Sequence, residues 1–209
     1  MTWLEVIKQH TSLTKPVFYT TKEAEKSHHP IPSGLKEQDA SNILHDHPLL
    51  AAIFWPSRRI IKQGEDSPTP RTTHFSVGSA SGSETSYKTS LTSQFNEKEV
   101  ILVEDMPLGL KMTVAYRVIS GEDIPSESPN ENDVLEATPN GLYLEVERSV
   151  QSPRPLSLLV RVKDGPIQKT RDLLWVLDEM GRNGKNLAAA LGALRIRDDG
   201  TDRGKDKAD

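Results

Sequence analysis

Four residues stand out as candidates for chemistry: Tyr116, Tyr87, His74 and Arg161. Tyr116 falls in the alternation Met112, Val114, Tyr116, Val118, which places one hydroxyl on an otherwise apolar strand face. Tyr87 heads a second such face with Thr89, Leu91, Ser93 and Phe95. A lining that is mostly apolar with a few hydroxyls suits a pocket that orients an organic guest. The plainer reading of each tyrosine is a core ring whose hydroxyl reaches the rim. His74, beside Phe75 and Val77, titrates near neutrality and fits a general acid or base. A satisfied or exposed strand histidine is the alternative. Arg161, if it lies on the apolar half of a helix, is placed to bind a carboxylate or polarise a carbonyl; otherwise it snorkels to solvent.

Other constellations carry less. His45-Asp46-His47 and His28-His29 suggest a metal at first sight, but histidines two apart at a helix end diverge, and the spacing matches no familiar ligand pattern. A histidine favoured by a helix C-terminus is the simpler account. The stretch GSASG around Ser81 is no nucleophile elbow, since its centre is Ala80, and no phosphate loop, since it lacks the lysine and the helix. Glu104 and Asp105 flank a turn and read as a solvated pair. Without cysteine there is no thiol catalysis and no disulfide, and a reducing compartment is the simpler expectation. A net charge of -4 leaves no electrostatic footprint for nucleic acid. No motif requires a metal or cofactor, and none is expected.

The elements that position these residues follow from composition and period. With 209 residues, one domain plus tails is expected, and an apolar content of 35% implies a modest core with long loops. No run of ~18 apolar residues occurs, so a soluble, cytoplasmic protein without membrane insertion is expected. Trp3, Leu4 and Ile7 suggest a short helix within an extension over residues 1–15. Val17 to Thr20 suits a first strand. A polar loop, KEAEKSHHPIPSG, precedes a helix capped by Ser33 that ends near His45, and Leu49 to Trp55 forms a second short helix. The period then changes to two: strands are expected over 57–63, 72–79, 86–95, 99–104, 110–119 and 142–150. Short connections favour an antiparallel meander, interrupted by polar insertions over 64–70 and 121–139 that suit surface loops or lids. In the last strand Leu142, Leu144 and Val146 should point inward, leaving Tyr143, Glu145 and Glu147 in solvent.

The final apolar run, Pro155 to Arg182, reads as one long helix kinked at Gly165-Pro166, with Leu156, Leu159, Val160, Ile167, Leu174, Leu177 and Met180 on one stripe. The alternative is a seventh strand over 157–163, with the helix opening at Pro166. Beyond Gly184, LAAALGALRI adds at most a turn or two of helix, and residues 185–209 are expected as a polar, disordered tail to a domain spanning 16–184.

The order strand, two short helices, antiparallel meander and C-terminal helix resembles the START-like superfamily, also called SRPBCC or helix-grip. The residues that carry the likeness are SGLKEQDASNILHDHPLL and NGLYLEVE, whose local text is similar to uncharacterised fungal members of that superfamily. The resemblance implies an α+β fold in which a curved antiparallel sheet of about six or seven strands grips a long C-terminal helix. It also implies a cavity between them, used in that superfamily to carry lipids and sterols, to bind hormones, or to cyclise polyketides without a cofactor.

On that basis the expected lining is Phe75, Val77, Leu91, Phe95, Met112, Val114, Val118, Leu142, Leu144 and Leu159. The expected function is cofactor-free cyclisation of an apolar polyketide or terpenoid intermediate, with an intramolecular cycloaddition of the Diels-Alder type as one form of it. Holding two reacting ends together removes an entropic barrier, and one hydrogen bond from Tyr, His or Arg stabilises the charge that shifts. A carrier or sensor of lipid-like ligands needs the same cavity without the polarising group. An interaction module with a side-chain-filled core is the third reading, and homo-oligomerisation is left open.

Overall fold

The computed structural model describes residues 18–66, 71–78, 86–94, 98–124, 141–162, 164–184 and 186–202, with side chains as far as Arg197. The helix expected around Trp3 and the lining residue Phe95 lie outside the described residues.

Among the described residues, eight antiparallel strands form one sheet: β1 (Tyr19–Glu23), β2 (Ser27–Pro30), β3 (Arg59–Asp66), β4 (Arg71–Gly78), β5 (Ser86–Gln94), β6 (Glu99–Met106), β7 (Leu110–Ser120) and β8 (Leu142–Pro153). The order is β1-β8-β7-β6-β5-β4-β3, with β2 also pairing β8, so β3 to β8 are the meander that short connections dictate. The stretch expected as a polar loop contains β2, whose Ser27 to Pro30 face Val146 to Tyr143. Pro30 is tolerated because the next bond to β8 is made by Ile31, whose N–H donates to Leu142 O at 2.8 Å, so the missing N–H falls between bonded positions. β1 and β2 thus share β8 as a partner, one along Ser149 to Pro153 and the other along Tyr143 to Val146.

Two helices join β2 to β3: α1 (Glu37–His45) and α2 (His47–Phe54). Ser33 does not cap α1; Asp39 turns back to accept from the Lys36 backbone N–H at 2.9 Å. Asp46 ends one helix and caps the next, accepting from Leu49 N at 3.1 Å, with Pro48 in the first turn of α2 where it costs no hydrogen bond.

The long helix expected from Pro155 is not continuous, and no strand replaces its first half. A single turn, α3 (Arg154–Ser157), leads into an irregular segment, and α4 (Gln168–Arg182) begins after Pro166. Gly165 at φ +87° and Pro166, which lacks an N–H, make a helix through this point impossible. The buried stripe of α4 is Leu173, Val176, Leu177 and Met180, so Leu173 takes the place expected of Leu174, which is half-buried. Residues beyond 186 are not a disordered tail over their first part: α5 (Leu187–Asp202) is a helix that buries Ala190 and Leu194 against the body. LAAALGALRI contains enough small and apolar residues to cover α4, and that contact decides its state.

The result is an α+β, helix-grip arrangement with α4 packed across one face of the sheet. Register fixes that inner face: Tyr87, Phe75 and Val77, then Leu91, Leu102 and Val114, then Tyr116, Val118, Leu144 and Val146 lie on it. These meet α1, α2, α4 and α5 in one continuous core cluster. Burial of each large aliphatic side chain there contributes about 1.5–3 kcal/mol. On the outer face Tyr143 and Glu145 are buried, not solvated as alternation alone suggested. Arg117 donates to Glu145 at 3.1 Å and to Glu99 at 3.0 Å, and His28 of β2 lies 3.2 Å from Glu145, so a charged group is covered there because its partners are supplied.

Candidate functional site

The inner face carries charge. Glu104 ends the alternation Val100, Leu102, Glu104 on β6, and its side chain is only 4% exposed. Lys169, in the first turn of α4, donates to its Oε2 at 3.0 Å and sits 5.5 Å from the centroid of the Trp55 ring. Oε1 of Glu104 and Nε1 of Trp55 are buried without a hydrogen-bond partner among the described residues. A buried carboxylate oxygen in that state favours whatever donor reaches it.

Tyr87 completes the group. It lies on β5 two residues from Thr89, the register partner of Glu104, and its hydroxyl faces Glu104 and Trp55. Burial pushes its pKa up to about 12, and the Glu104 charge adds to the rise. It therefore stays protonated, a hydrogen-bond donor throughout the neutral range. On the same face of the sheet, Tyr116 is completely buried, its hydroxyl 3.3 Å from Thr170 Oγ1 of α4 and its ring 5.4 Å from that of Phe54. Burial raises its pKa strongly, so it is a donor as well.

Of the four residues singled out by type, the structure brings Tyr87 and Tyr116 to the sheet–helix layer and separates the other two. His74 is on the outer face, where it bonds Asp66 at 2.8 Å. Strand parity explains it: Thr73, Phe75 and Val77 point inward, so His74 cannot. Arg161 is exposed in the segment after α3, because the helix that would have buried it is not formed. Leu159 is 79% exposed for the same reason and lines nothing. Phe75, Val77, Leu91, Val114, Val118 and Leu144 are core residues on the inner face, with Met112 and Leu142 half-buried at its margins. Glu104 and Lys169 were not foreseen as a pair. The period-two pattern does put Glu104 on the apolar face, but the adjacent turn suggests a solvated carboxylate.

The histidine-rich stretches do not converge. His29 bonds Ser27 at 3.1 Å and, with His28, belongs to β2. His45 and His47 instead converge on Ser93, with Nδ1 of His45 at 2.9 Å and Nε2 of His47 at 2.8 Å from its Oγ. Nδ1 of His47 bonds Thr73 Oγ1 at 2.8 Å, and the ring has no exposed surface. Burial, then the neighbouring Arg71 charge, lower the His47 pKa to about 4, so its ring is neutral. Ser93 resembles an activated serine by distance alone; enclosed on every side, it is better described as the joint fixing α1 and α2 to the sheet.

The space between the layers is tightly filled. Leu91, Leu102, Val114, Tyr116, Leu144, Leu173 and Val176 have no exposed surface. A pocket opens beside Tyr116, between Ala24, Ser27, Val146 and Arg148 on the sheet side and Gly165, Ile167 and Thr170 on the helix side. Its volume of about 10 Å³ holds one water molecule.

No family model and no curated protein matches the chain. Among solved structures, the chain is similar to the Zhui aromatase/cyclase of Streptomyces sp. R1128, with 13% identity and a TM-score of 0.37 over 86% of this chain and 95% of that one. It is similar to Ara h 8.0201 at 10% identity and a TM-score of 0.39, over 86% and 99% of the two chains. The di-domain ARO/CYC StfQ from the steffimycin biosynthetic pathway gives 13% and 0.37, over 88% of this chain and 52% of that one. Likenesses of this size assign neither a family nor an activity, and the functional reading rests on the residues themselves.

Proposed function

We propose that the chain is a cofactor-free enzyme that promotes ring closure of a mostly apolar polyketide- or terpenoid-like intermediate at the Glu104, Lys169, Tyr87 site. The observation that carries the reading is Glu104: a buried carboxylate on an apolar face, one oxygen held by Lys169 and the other without a geometric hydrogen bond among the described residues. That oxygen suits removal of a proton next to a carbonyl, while Tyr87, protonated at neutral pH, donates to the oxygen on which charge develops. Lys169 supplies the cation that compensates the buried carboxylate, donating to its Oε2 at 3.0 Å. A finer form of the reading is an intramolecular cycloaddition of the Diels-Alder type in fungal secondary metabolism, which needs only confinement and one hydrogen bond from Tyr87.

The reading requires the layers to part beside Gly165 to Thr170, since the interior is otherwise occupied by side chains. The test is incubation with a linear poly-β-ketone, comparing products with the protein-free reaction and with the Glu104→Gln variant. A product ratio shifted by the protein and restored to the protein-free ratio by Glu104→Gln supports it; identical mixtures in all three reject it.

The dense core specifically favours a second reading, an interaction module with no guest. Native mass spectrometry separates the two: saturable binding of an apolar probe such as a long-chain β-ketone retains the enzyme or carrier class, and none leaves the module.

A further inference from the structure

Eight large apolar residues are exposed among the described residues, and six of them, Phe18, Tyr19, Met106, Leu108, Leu158 and Leu159, belong to one end of the sheet. Tyr19 pairs with Pro153 at the junction of β1 and β8, and both flank Gly109 of the β6–β7 turn, with Pro153 Cγ and the Tyr19 hydroxyl each within 4 Å of the position of a Cβ there. The Arg154 N–H donates to Phe18 O at 2.7 Å, and α3 then leads directly into Leu158 and Leu159. The segment after them is tied back to the sheet by Lys22 Nζ, which donates to Val160 O at 2.8 Å.

The tips are held out by construction. Leu108 has φ +63°, in the left-handed region that disfavours a non-glycine residue, and it is 75% exposed. Leu158 and Leu159 are consecutive and 88% and 79% exposed. Apolar patches of this kind mark contact sites. The charges beside them point to the occupant. Arg154 and Arg161 are exposed and carry no ion pair among the described residues, and Lys111 stands on the same end, paired at 3.7 Å to Asp105.

We propose that this end of the molecule docks peripherally on a lipid bilayer containing anionic headgroups, with Leu108, Leu158 and Leu159 entering the interface and Arg154 and Arg161 meeting the phosphates. The contact is interfacial rather than spanning: no helix among the described residues is long and apolar enough to cross a membrane. Apolar tips beside cations match the two attractions that hold a protein in that layer. The proposal is independent of the reaction assigned to the interior.

The test is cosedimentation of the full chain with vesicles of phosphatidylcholine alone and of phosphatidylcholine with about a third phosphatidylserine. The proposal expects binding to the anionic vesicles, reduced about tenfold or more by Leu108→Ser with Leu158→Ser and Leu159→Ser, and weakened by Arg154→Gln with Arg161→Gln. Unchanged thermal unfolding of these surface variants separates lost docking from lost fold. No binding of the parent chain to either vesicle overturns it, as does equal binding by the triple-serine variant. A parent dimer that the triple-serine variant converts to monomer, without vesicle binding, assigns the surface to a second copy of the chain and also overturns it.

Discussion

Lys169 Nζ reaches Glu104 Oε2 at 3.0 Å across the boundary between helix and sheet, with both side chains largely removed from solvent. The pair fixes the first turn of α4 over the end of β6 and charges a layer otherwise built from leucine and valine. Removing one partner of such a pair leaves the other buried and uncompensated. Lys169→Met is therefore expected to cost about 3 kcal/mol in denaturant unfolding, and Glu104→Gln less, because a neutral amide tolerates burial better. In the double variant the coupling disappears, and it should be more stable than Lys169→Met alone. A Lys169→Met protein as stable as the parent would show that the pair is not formed.

Tyr116 tests the same layer without charge. Its hydroxyl is 3.3 Å from Thr170 Oγ1, at the long end of the hydrogen-bond range. Tyr116→Phe keeps the ring against Phe54 and is expected to cost about 1 kcal/mol. Thr170→Val should cost a similar amount, with the double variant less destabilised than the sum of the two. If the ring-closure reading holds, turnover falls with Tyr87→Phe and is little changed with Tyr116→Phe, because the Tyr87 hydroxyl lies toward Glu104 whereas that of Tyr116 is engaged with Thr170.

How legible this was in the sequence differs by element. The meander and its inner face follow from period two, a local property that tertiary contacts reinforced at Leu91, Val114 and Leu144. The C-terminal helix misled because Pro155 to Val162 is apolar and also fits helical spacing. What decides its state is Gly165 in the left-handed region together with Pro166, and nothing in the spacing reveals that φ. Glu104 was misjudged for a related reason: its neighbour Asp105 is exposed beside a turn, while its own burial depends on Lys169, 65 residues away. Period two put Ser93 on the inner face but did not give its role, since its partners His45 and His47 lie on helices that only the fold brings over β5.

The α5 helix is a second point at which long-range contact overrode composition. Leu194 is 1% exposed, Arg197 lies 4.9 Å from the centroid of the Trp175 ring, and its guanidinium also bonds Asp172. Leu194→Ala is expected to cost about 2–4 kcal/mol by leaving a cavity between α5 and the body. Ending the chain after Gly184 should lower the melting temperature by more than that single change and expose Trp175 to quenchers. A truncated protein with unaltered stability and tryptophan quenching would show that α5 does not cover α4.

Gly181 marks the closest approach of α4 to the segment before α1: a Cβ there would lie 2.6 Å from Pro32 Cβ. Neither ring nor backbone can yield by that amount without moving α4. Gly181→Ala is thus expected to destabilise by about 1–3 kcal/mol, although alanine favours helix. Pro32→Ala in the same chain keeps the Cβ and should give little relief, whereas Pro32→Gly removes the clash and should restore part of the loss. Recovery with Pro32→Ala equal to that with Pro32→Gly would contradict this packing.

The joint at Ser93 predicts how stability depends on pH. His47 holds its proton with a pKa of about 4 when folded, below its ordinary 6.5, because burial and then Arg71 disfavour the charged ring, outweighing the opposing Glu65 and Asp46; His45 adds to the lowering. Between these values the unfolded chain binds more protons than the folded one, so stability rises with pH through that window and is lost as pH falls through it. For a fully enclosed ring the loss below the window is of order 3 kcal/mol. His45, also lowered by burial, adds in the same direction. His47→Gln keeps hydrogen-bonding groups but cannot titrate, so its unfolding free energy should fall less steeply between neutral and acid pH than that of the parent. Parallel curves for parent and variant across that range would show that folding does not lower the His47 pKa.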